Sequence, residues 1–594
     1  MKRATPLLGA LCSLAQQNTV PPGAALAGPA YPAPSALRGS DLLAASVHDF
    51  DKSIRNSPII QANETAWTVA VFSAIDEEPL CERYFTPEYN VSVLQVDRDS
   101  VFRIASVSKV FSVWTFLMEV GDERFGDPIT RYVPELAAAV TANTSVLKPG
   151  VVYDDIDNVR WDEVTLGQLA SHLAGIPRDP SQTDMSASLP REQGAALGLP
   201  PLEDSEIPVC GVTGLLRPCS RGETIEQLLK QHPIFPTAHS PAYTNIAYTL
   251  LGFAQEAITG MAAGDAITAN IFSALNMSSS TFSTKPSSGR GVIPQGDQAS
   301  VGWDWDLGPT APSGSIYSST ADMVKAGRAI LDSKTLTPAR TRRWLKPMSQ
   351  TGVLGSAVGA PWEIRDIMLG AVGGGRRLSQ VYTKQGDIGG YRAALVLSPE
   401  HDIGAVVFSA GLTGSNSAAV RETLMNAVGR VFLPLAEEQA RKEARAKFAA
   451  TYTDEASNSS VTIQIDEGTP GLMVKSMVSR SVEVIGPASP FLQVYGAGAS
   501  ARLFPTTLKT VRDKAAGDGT FTSRLGFRAS FFNASGDLND VQDPGLMQWT
   551  SLGAPAYGAR TLDDWVFEMG EDGKAAVVDV RMLRMRLVRK EDVL

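Results

Sequence analysis

The chain is short of several things, and each shortage excludes a class of function. Four cysteines and five histidines are scattered through 594 residues, without the paired spacings of a metal centre; no metal and no cofactor are expected. Basic residues number 53 against 63 acidic ones, a formal net charge of −10. A nucleic-acid surface needs clustered Lys and Arg, so no nucleic-acid partner is expected. No apolar run reaches the roughly 18 residues that a membrane-spanning helix needs, and no membrane span is expected. Collagen, coiled-coil and disordered compositions are absent as well. What is present, 43% hydrophobic and 20% charged residues, is ordinary for a folded protein, and the length suggests roughly two to four domains.

The first residues, Met1-Lys2-Arg3, precede an apolar stretch from Leu7 to Leu14 and then Ala15. A basic start, a short apolar core and small residues at the cut predict a signal peptide over 1–15 and a secreted protein. Six Asn-x-Ser/Thr sequons, at Asn63, Asn90, Asn143, Asn276, Asn458 and Asn533, occur among only fourteen asparagines, where chance would supply roughly two. They point to a glycosylating pathway. Cys12 would leave with the signal. Cys210 and Cys219 bracket a Gly/Pro-containing loop, and secretion permits a disulfide between them; a metal site, the alternative, would need further ligands. Cys81 is left as a buried thiol.

Residues 16–40 are rich in Pro, Ala and Gly and read as a linker or loose arm. A domain over 41–435 follows. Strand patterns occur near Trp67–Ala74, Leu80–Phe85 and Val101–Ile104, then again at Gln380–Thr383, Ala393–Leu397 and Ile403–Phe408. Between them lie mostly helices and long loops. Thr165-x-x-Gln168 and Ser220-x-x-Glu223 are capping boxes, and Ile246–Ile258 has a helical period. A helix near Ala418–Phe432 closes the domain, and a charged connector helix over 436–449 leads to a small all-β domain over 450–594.

Three short motifs carry chemistry. Ser106-Val-Ser-Lys109 puts a hydroxyl and an amine three residues apart, on one face of a helix, where the amine can take the proton of a nucleophilic serine. Ser145-Val-Leu-Lys148 repeats the spacing, but it runs into Pro149-Gly150 and cannot continue as a helix. Tyr243-Thr-Asn245 is the one Tyr-x-Asn of the chain and stands before a helix. A phenol close to two ammonium groups would have its pKa lowered and could act as a general base, and Asn245 could hold Lys109 or a substrate amide. Lys384-Gln-Gly386 follows a strand; Gly386 allows close approach to its edge, and the next backbone N–H, from Asp387, could face an oxyanion.

In this order the motifs resemble the serine β-lactamase and penicillin-binding-protein superfamily, most closely its class C form. Phe102–Ser112, Asp127–Leu136, Thr165–Pro177, Gly314–Asp322 and Gly389-Gly-Tyr391 read like the same linear pattern, so the likeness runs from about 45 to 435. It implies an α/β (α+β type) fold: an antiparallel sheet flanked by helices beside a mostly helical subdomain. It also implies that Ser106 is the acylated nucleophile, Lys109 its activator and Tyr243 the general base. Asn245 and Lys384 would support them, and the backbone N–H groups of Ser106 and Asp387 would form the oxyanion hole. Gln385 stands where the family usually has Thr, and Asp387 where a small hydroxyl residue is common; the Asp387 carboxylate would repel a substrate carboxylate. The expected function is a serine hydrolase acting on a small-molecule lactam, ester or amide. The alternatives are an acyltransferase passing the acyl group to an alcohol and, from another class, a non-catalytic binding protein.

Overall fold

The computed structural model describes residues 19–23, 28–88, 92–142, 154–286, 289–295, 298–370, 377–467, 469–486, 489, 501–511, 522–531, 534–537, 549–550 and 552–590. They form two units. One holds 44–365 and 381–431, and the other holds the described parts of 1–43, 366–380 and 432–594. Asn90, Asn143, Asn533, the Ser145/Lys148 pair and the 1–15 signal segment lie outside the described residues.

In the first unit, the apolar run after Ser106 forms helix α1, Ser108–Glu119, with every residue from Ser108 to Leu117 buried. A helix apolar on all sides belongs in a core, and this one runs through the middle of the unit's main hydrophobic cluster. An antiparallel sheet is built from β1 (Ala66–Ser73), β2 (Cys81–Phe85), β3 (Ser349–Gln350), β4 (Ser356–Val358), β5 (Glu363–Leu369), β6 (Arg377–Ile388), β7 (Tyr391–Ser398) and β8 (Ile403–Ala410), in the order β2-β1-β8-β7-β6-β5-β4-β3. All residues of β1 and β8 are buried, as expected of central strands covered on both faces. Gly389-Gly390 turns β6 into β7, with Ile388 opposite Tyr391. Trp114 of α1, Trp344, Trp362 and Tyr382 of β6 form a chain of ring contacts, 6.0, 5.3 and 6.3 Å between successive centroids. These large buried rings hold β6 and α1 in one fixed core. The remaining helices include α2 (Ile246–Thr259) and α3 (Thr320–Leu331). Thr165 and Ser220 both make the capping boxes expected of them. Sheet and helices together give the antiparallel α+β architecture that the motifs implied.

The second unit is a β-barrel. Ala450–Asp454, Ser459–Gln464, Leu472–Ser479, Arg502–Val511, Ser523–Ser530, Asp564–Met569, Ala575–Val580 and Met585–Arg589 each pair antiparallel with the next in chain order, and the last returns to the first. Closure leaves no open edge in the ring. Its interior is filled by side chains: Phe448, Phe527 and Phe567 meet at 4.9–5.4 Å between ring centroids, with buried Tyr452, Leu503 and Trp565 in the same cluster.

Two expectations about the chain's organisation give way. The described parts of 16–40, residues 19–23 and 28–40, are a docked segment and not a linker or loose arm. Thr19–Gly23 pairs as a strand with Ala534–Asp537, and Ala30 and Tyr31 join the barrel's buried cluster. Proline-rich chain suits an extended segment that needs few ladder donors, and its scattered apolar side chains are enough to dock it. Nor is there a separate connector helix at 436–449: Ser417–Phe448 is one helix, α4, with Pro434 inside it. A proline removes one hydrogen bond from a helix, and buried Phe432, Leu433, Leu435 and Ala436 on either side of it supply packing that offsets this loss.

Candidate active site

The site is built on the turn that feeds α1. Ala105 sits at φ +46°, a left-handed conformation that costs a residue with a Cβ roughly 1–2 kcal/mol, and Ser106 follows in a short 3₁₀ turn over Ala105–Val107. Strain of this kind persists where the surroundings over-determine it. Here Val107 N–H donates to the Ile104 carbonyl, 3.1 Å away, and Ser108 Oγ accepts from Ile316 N–H at 3.1 Å. Ser106 itself is half-buried.

Lys109, one helical turn on, is wholly buried. Its ammonium donates to Ser106 Oγ at 3.1 Å, to Asn245 Oδ1 at 2.7 Å and to the Ser313 carbonyl at 2.7 Å. A lysine has three donors, and all three are used. Burial lowers its pKa, while the neighbouring Tyr243 opposes that shift only in part. Asn245 is held in turn by Asp179, whose two oxygens accept from Nδ2 at 2.9 and 3.1 Å. A carboxylate accepting from the amide nitrogen leaves the amide oxygen for Lys109, so Asp179 sets which way Asn245 points. Burial raises the pKa of Asp179 against the opposing pull of Asn245 and Arg178.

Tyr243 donates to Ser106 Oγ at 2.7 Å. The ammonium groups of Lys109 and Lys384 stand 5.1 and 5.3 Å from its ring, and the Arg178 guanidinium 4.8 Å. Burial alone would raise the phenol's pKa; Lys109 and then Lys384 outweigh it, and the net direction is down. His172, at φ +61°, stacks on the Tyr243 ring at 4.6 Å, and its Nδ1 accepts from Thr244 N–H at 3.2 Å. Burial, with the nearby cations adding to it, holds His172 well below its usual pKa, so it packs as a neutral ring. The carbonyls of His172 and Arg178 accept from the N–H groups of Ala242 and Asn245, each at 2.9 Å. The Tyr-Thr-Asn segment therefore hangs on the loop at 172–179.

Lys384 of β6 is also buried, but a carboxylate meets it. Glu363 of β5 accepts from Lys384 Nζ at 2.5 Å and from Gln385 N–H at 3.0 Å. Burial would lower the pKa of Lys384; Glu363 overcomes this and raises it. Gly386 marks where β6 meets the nucleophile's turn. A Cβ there would lie 2.3 Å from the Ile104 carbonyl oxygen and 2.8 Å from Ser106 N, which only glycine avoids. Asp387 follows, and its carboxylate is not bare: Oδ1 accepts from Arg421 Nη1 at 2.5 Å and pairs with Arg392 Nε at 3.2 Å. The repulsion expected from its charge is thereby reduced by two guanidinium groups, which are themselves taken up by Asp387.

The five side chains singled out in the sequence thus share one cluster: Ser106, Lys109, Tyr243 and Asn245 by direct hydrogen bonds, and Lys384 across the Tyr243 ring. Residues 68–430 match the family described as Beta-lactamase. The chain belongs to the β-lactamase family. Residues 440–591 match a second description, the Beta-lactamase-like-like C-terminal domain. A Beta-lactamase-like protein of Arthroderma benhamiae is 27% identical over 96% of both chains. A protein of Phoma sp. described as a probable hydrolase is 25% identical over 70% of this chain and 66% of its own. Among solved structures, the D-amino acid amidase of Ochrobactrum anthropi covers 67% of this chain and all of its own at 16% identity, with a TM-score of 0.46. The β-lactamase/D-alanine carboxypeptidase of Yersinia pestis covers 66% at 19% identity, with a TM-score of 0.44.

Of the residues around these motifs, His172 lies in the Thr165–Pro177 pattern, and the others carried no signal of their own in the sequence. The loop carrying His172 and Asp179, Glu363 of β5, Arg421 of α4 and the Ser313 carbonyl lie far apart in sequence, and only the fold brings them together. Away from it, Cys210 and Cys219 form a disulfide, in place of the metal alternative. Cys81 is free and buried, with burial pushing its thiol up to about 11. Asn63, Asn276 and Asn458 are exposed and sit in left-handed turns, at φ 61, 53 and 46°. Among the described residues no helix is long and apolar enough to cross a membrane.

Proposed function

We propose that this β-lactamase-family protein is a serine hydrolase that works through an acyl-enzyme on a small-molecule ester, amide or lactam. The observation that carries the reading is the double hydrogen bond to Ser106 Oγ, from Tyr243 OH at 2.7 Å and Lys109 Nζ at 3.1 Å. Both neighbours are shifted toward losing a proton, so in the reactive form one of them can accept the Ser106 proton. Oγ then attacks the acyl carbon, and the backbone N–H groups of Ser106 and Asp387 stabilise the oxyanion. Tyr243 returns the proton to the leaving group, and the bond to that group breaks. A water gives its proton to Tyr243 and attacks the acyl-enzyme; the acyl–Oγ bond breaks, Tyr243 passes that proton to Ser106 Oγ, and the acid leaves. Lys384, kept protonated by Glu363, lowers the phenol's pKa throughout. The relative described as a probable hydrolase supports this class of reaction.

The test is turnover of an ester, lactam and D-amino-acid amide panel by wild type beside Ser106→Ala, with and without an added alcohol. Hydrolysis of at least one member that disappears in Ser106→Ala supports the proposal. Product that forms only with the alcohol would instead make the protein an acyltransferase, and equal turnover by both proteins would overturn the serine mechanism. We further propose that the protein is secreted and glycosylated; exposed sequon asparagines at 63, 276 and 458 and the disulfide support this.

A further inference from the structure

Resting on the serine mechanism just proposed, we infer that Asp387 is an internal carboxylate that fills an anion site beside the nucleophile and so selects acyl donors uncharged at that position. Arg421, from α4, has a side chain only 5% exposed, and its Nη1 reaches both Asp387 Oδ1 and, at 3.5 Å, the Gly386 carbonyl. Arg392 lies directly across the β6–β7 ladder from Asp387 and adds a second guanidinium. Glu422, 3.8 Å from the far side of Arg421, is the remaining acidic neighbour. Among the described residues, two guanidinium groups thus meet two carboxylates, and Asp387 is the one that joins both arginines.

Its position gives the cluster meaning. Gly386 presses against Ser106 N, so the Asp387 N–H proposed as an oxyanion donor and the Asp387 side chain leave the same residue. An acyl donor with its carbonyl in that hole has part of its frame beside the cluster. The Asp387 side chain is 54% exposed and lies over the buried Arg421, so it is the solvent-side member of the pair and the one a ligand meets. As the chain stands, a carboxylate arriving there finds the guanidinium groups already paired and an aspartate in its way. With Asp387 removed, Arg421 and Arg392 are a ready-made carboxylate receptor.

The experiment uses two matched pairs of esters on the full chain. In one, the phenylacetyl esters of 3-hydroxybenzoic acid and of its methyl ester, the leaving group differs by one carboxylate. In the other, the phenyl esters of glutaric acid and of its monomethyl ester, the acyl group does. The quantity read is the ratio of kcat/KM for the acid to that for its neutral partner. In at least one pair, Asp387→Ser is expected to raise that ratio about tenfold or more over wild type, and Asp387→Ser/Arg421→Gln to return it toward the wild-type value. A ratio unchanged by Asp387→Ser in both pairs, or a gain that survives loss of Arg421, overturns the inference. Asp387→Asn, which keeps the shape and removes the charge, takes the place of Asp387→Ser if that variant does not fold. If no ester turns over, the same acid-to-neutral ratio is read from calorimetric affinities in a Ser106→Ala background, where a rise that depends on Arg421 supports the inference and its absence overturns it. Failure of the serine mechanism is recognised separately, by turnover that persists in Ser106→Ala.

Discussion

Lys109 and Lys384 stand at nearly the same distance from the Tyr243 ring, 5.1 and 5.3 Å, yet only Lys384 has a carboxylate in contact with its ammonium. Glu363 supplies it at 2.5 Å. Lys109 has Ser106, Asn245 and a backbone carbonyl instead. Burial lowers the pKa of both amines, and Glu363 reverses the sign for one of them. Two like groups in one cluster are thereby driven apart, one fitted to carry a proton away and the other to stay charged.

Glu363→Gln tests this division. Without the carboxylate, only Tyr243 and Asp387 remain to oppose burial at Lys384, and its pKa falls. The alkaline limb of kcat/KM then moves to lower pH, because the ammonium is lost sooner, and the rate at the optimum drops roughly tenfold. A pH–rate profile of wild type and variant, with circular dichroism to confirm the fold, checks both effects. An unmoved alkaline limb would assign Glu363 to packing.

Gly386→Ala addresses geometry without changing any charge. The added methyl would meet the Ile104 carbonyl at 2.3 Å and Ser106 N at 2.8 Å, and backbone has little room to yield. β6 is pushed off the nucleophile's turn. Displacements of about an ångström cost on the order of a hundredfold in rate, so kcat/KM should fall by about that much while melting shows a folded protein. Activity within a few-fold of wild type would mean that the strand and the turn need not touch.

What could be read in advance follows from how locally each feature is written. Ser106 and Lys109 lie one helical turn apart, and Tyr243 and Asn245 share a tripeptide before a helix, so spacing alone groups them. Strands β7 and β8 and the two capping boxes are likewise local patterns. Asp179 and Glu363 act only through side chains brought from elsewhere, and nothing next to them in sequence marks that role. The N-terminal arm misled for a related reason. Its proline and glycine content describes how the backbone can bend, whereas docking rests on where Ala30 and Tyr31 end up. The pattern near 432–436 reads as the end of one helix and the start of another, whereas buried residues around Pro434 carry a single helix through.

Glu443 ties that arm down in the barrel unit and gives a pH-dependent prediction. It accepts from Ser35 N–H at 2.9 Å, Ala36 N–H at 2.9 Å, Gln439 at 3.0 Å and Lys447 at 2.9 Å. Burial by itself would raise its pKa; the hydrogen bonds from Lys447, Ser35 and Gln439 outweigh burial and bring it to about 2, from 4.5. A carboxyl depressed in the folded state contributes stability above its unfolded pKa, and that contribution is lost as pH falls through the folded value. Glu443→Gln should therefore cost about 1–2 kcal/mol at pH 7, after allowance for solvent screening. The gap between variant and wild type should close as pH falls from about 4.5 to about 2. Urea unfolding across that range is the measurement; a gap independent of pH would remove the charge from the explanation.

The most direct test is the rate at which a serine-directed acylating probe labels the intact protein, followed by mass spectrometry. Wild type should take up one equivalent, and Ser106→Ala none. Tyr243→Phe and Lys109→Ala should each label at least about a hundredfold more slowly, because each removes a partner that can accept the Ser106 proton. Labelling that survives in Ser106→Ala, or that proceeds at the wild-type rate when both Tyr243 and Lys109 are replaced, would contradict the serine mechanism.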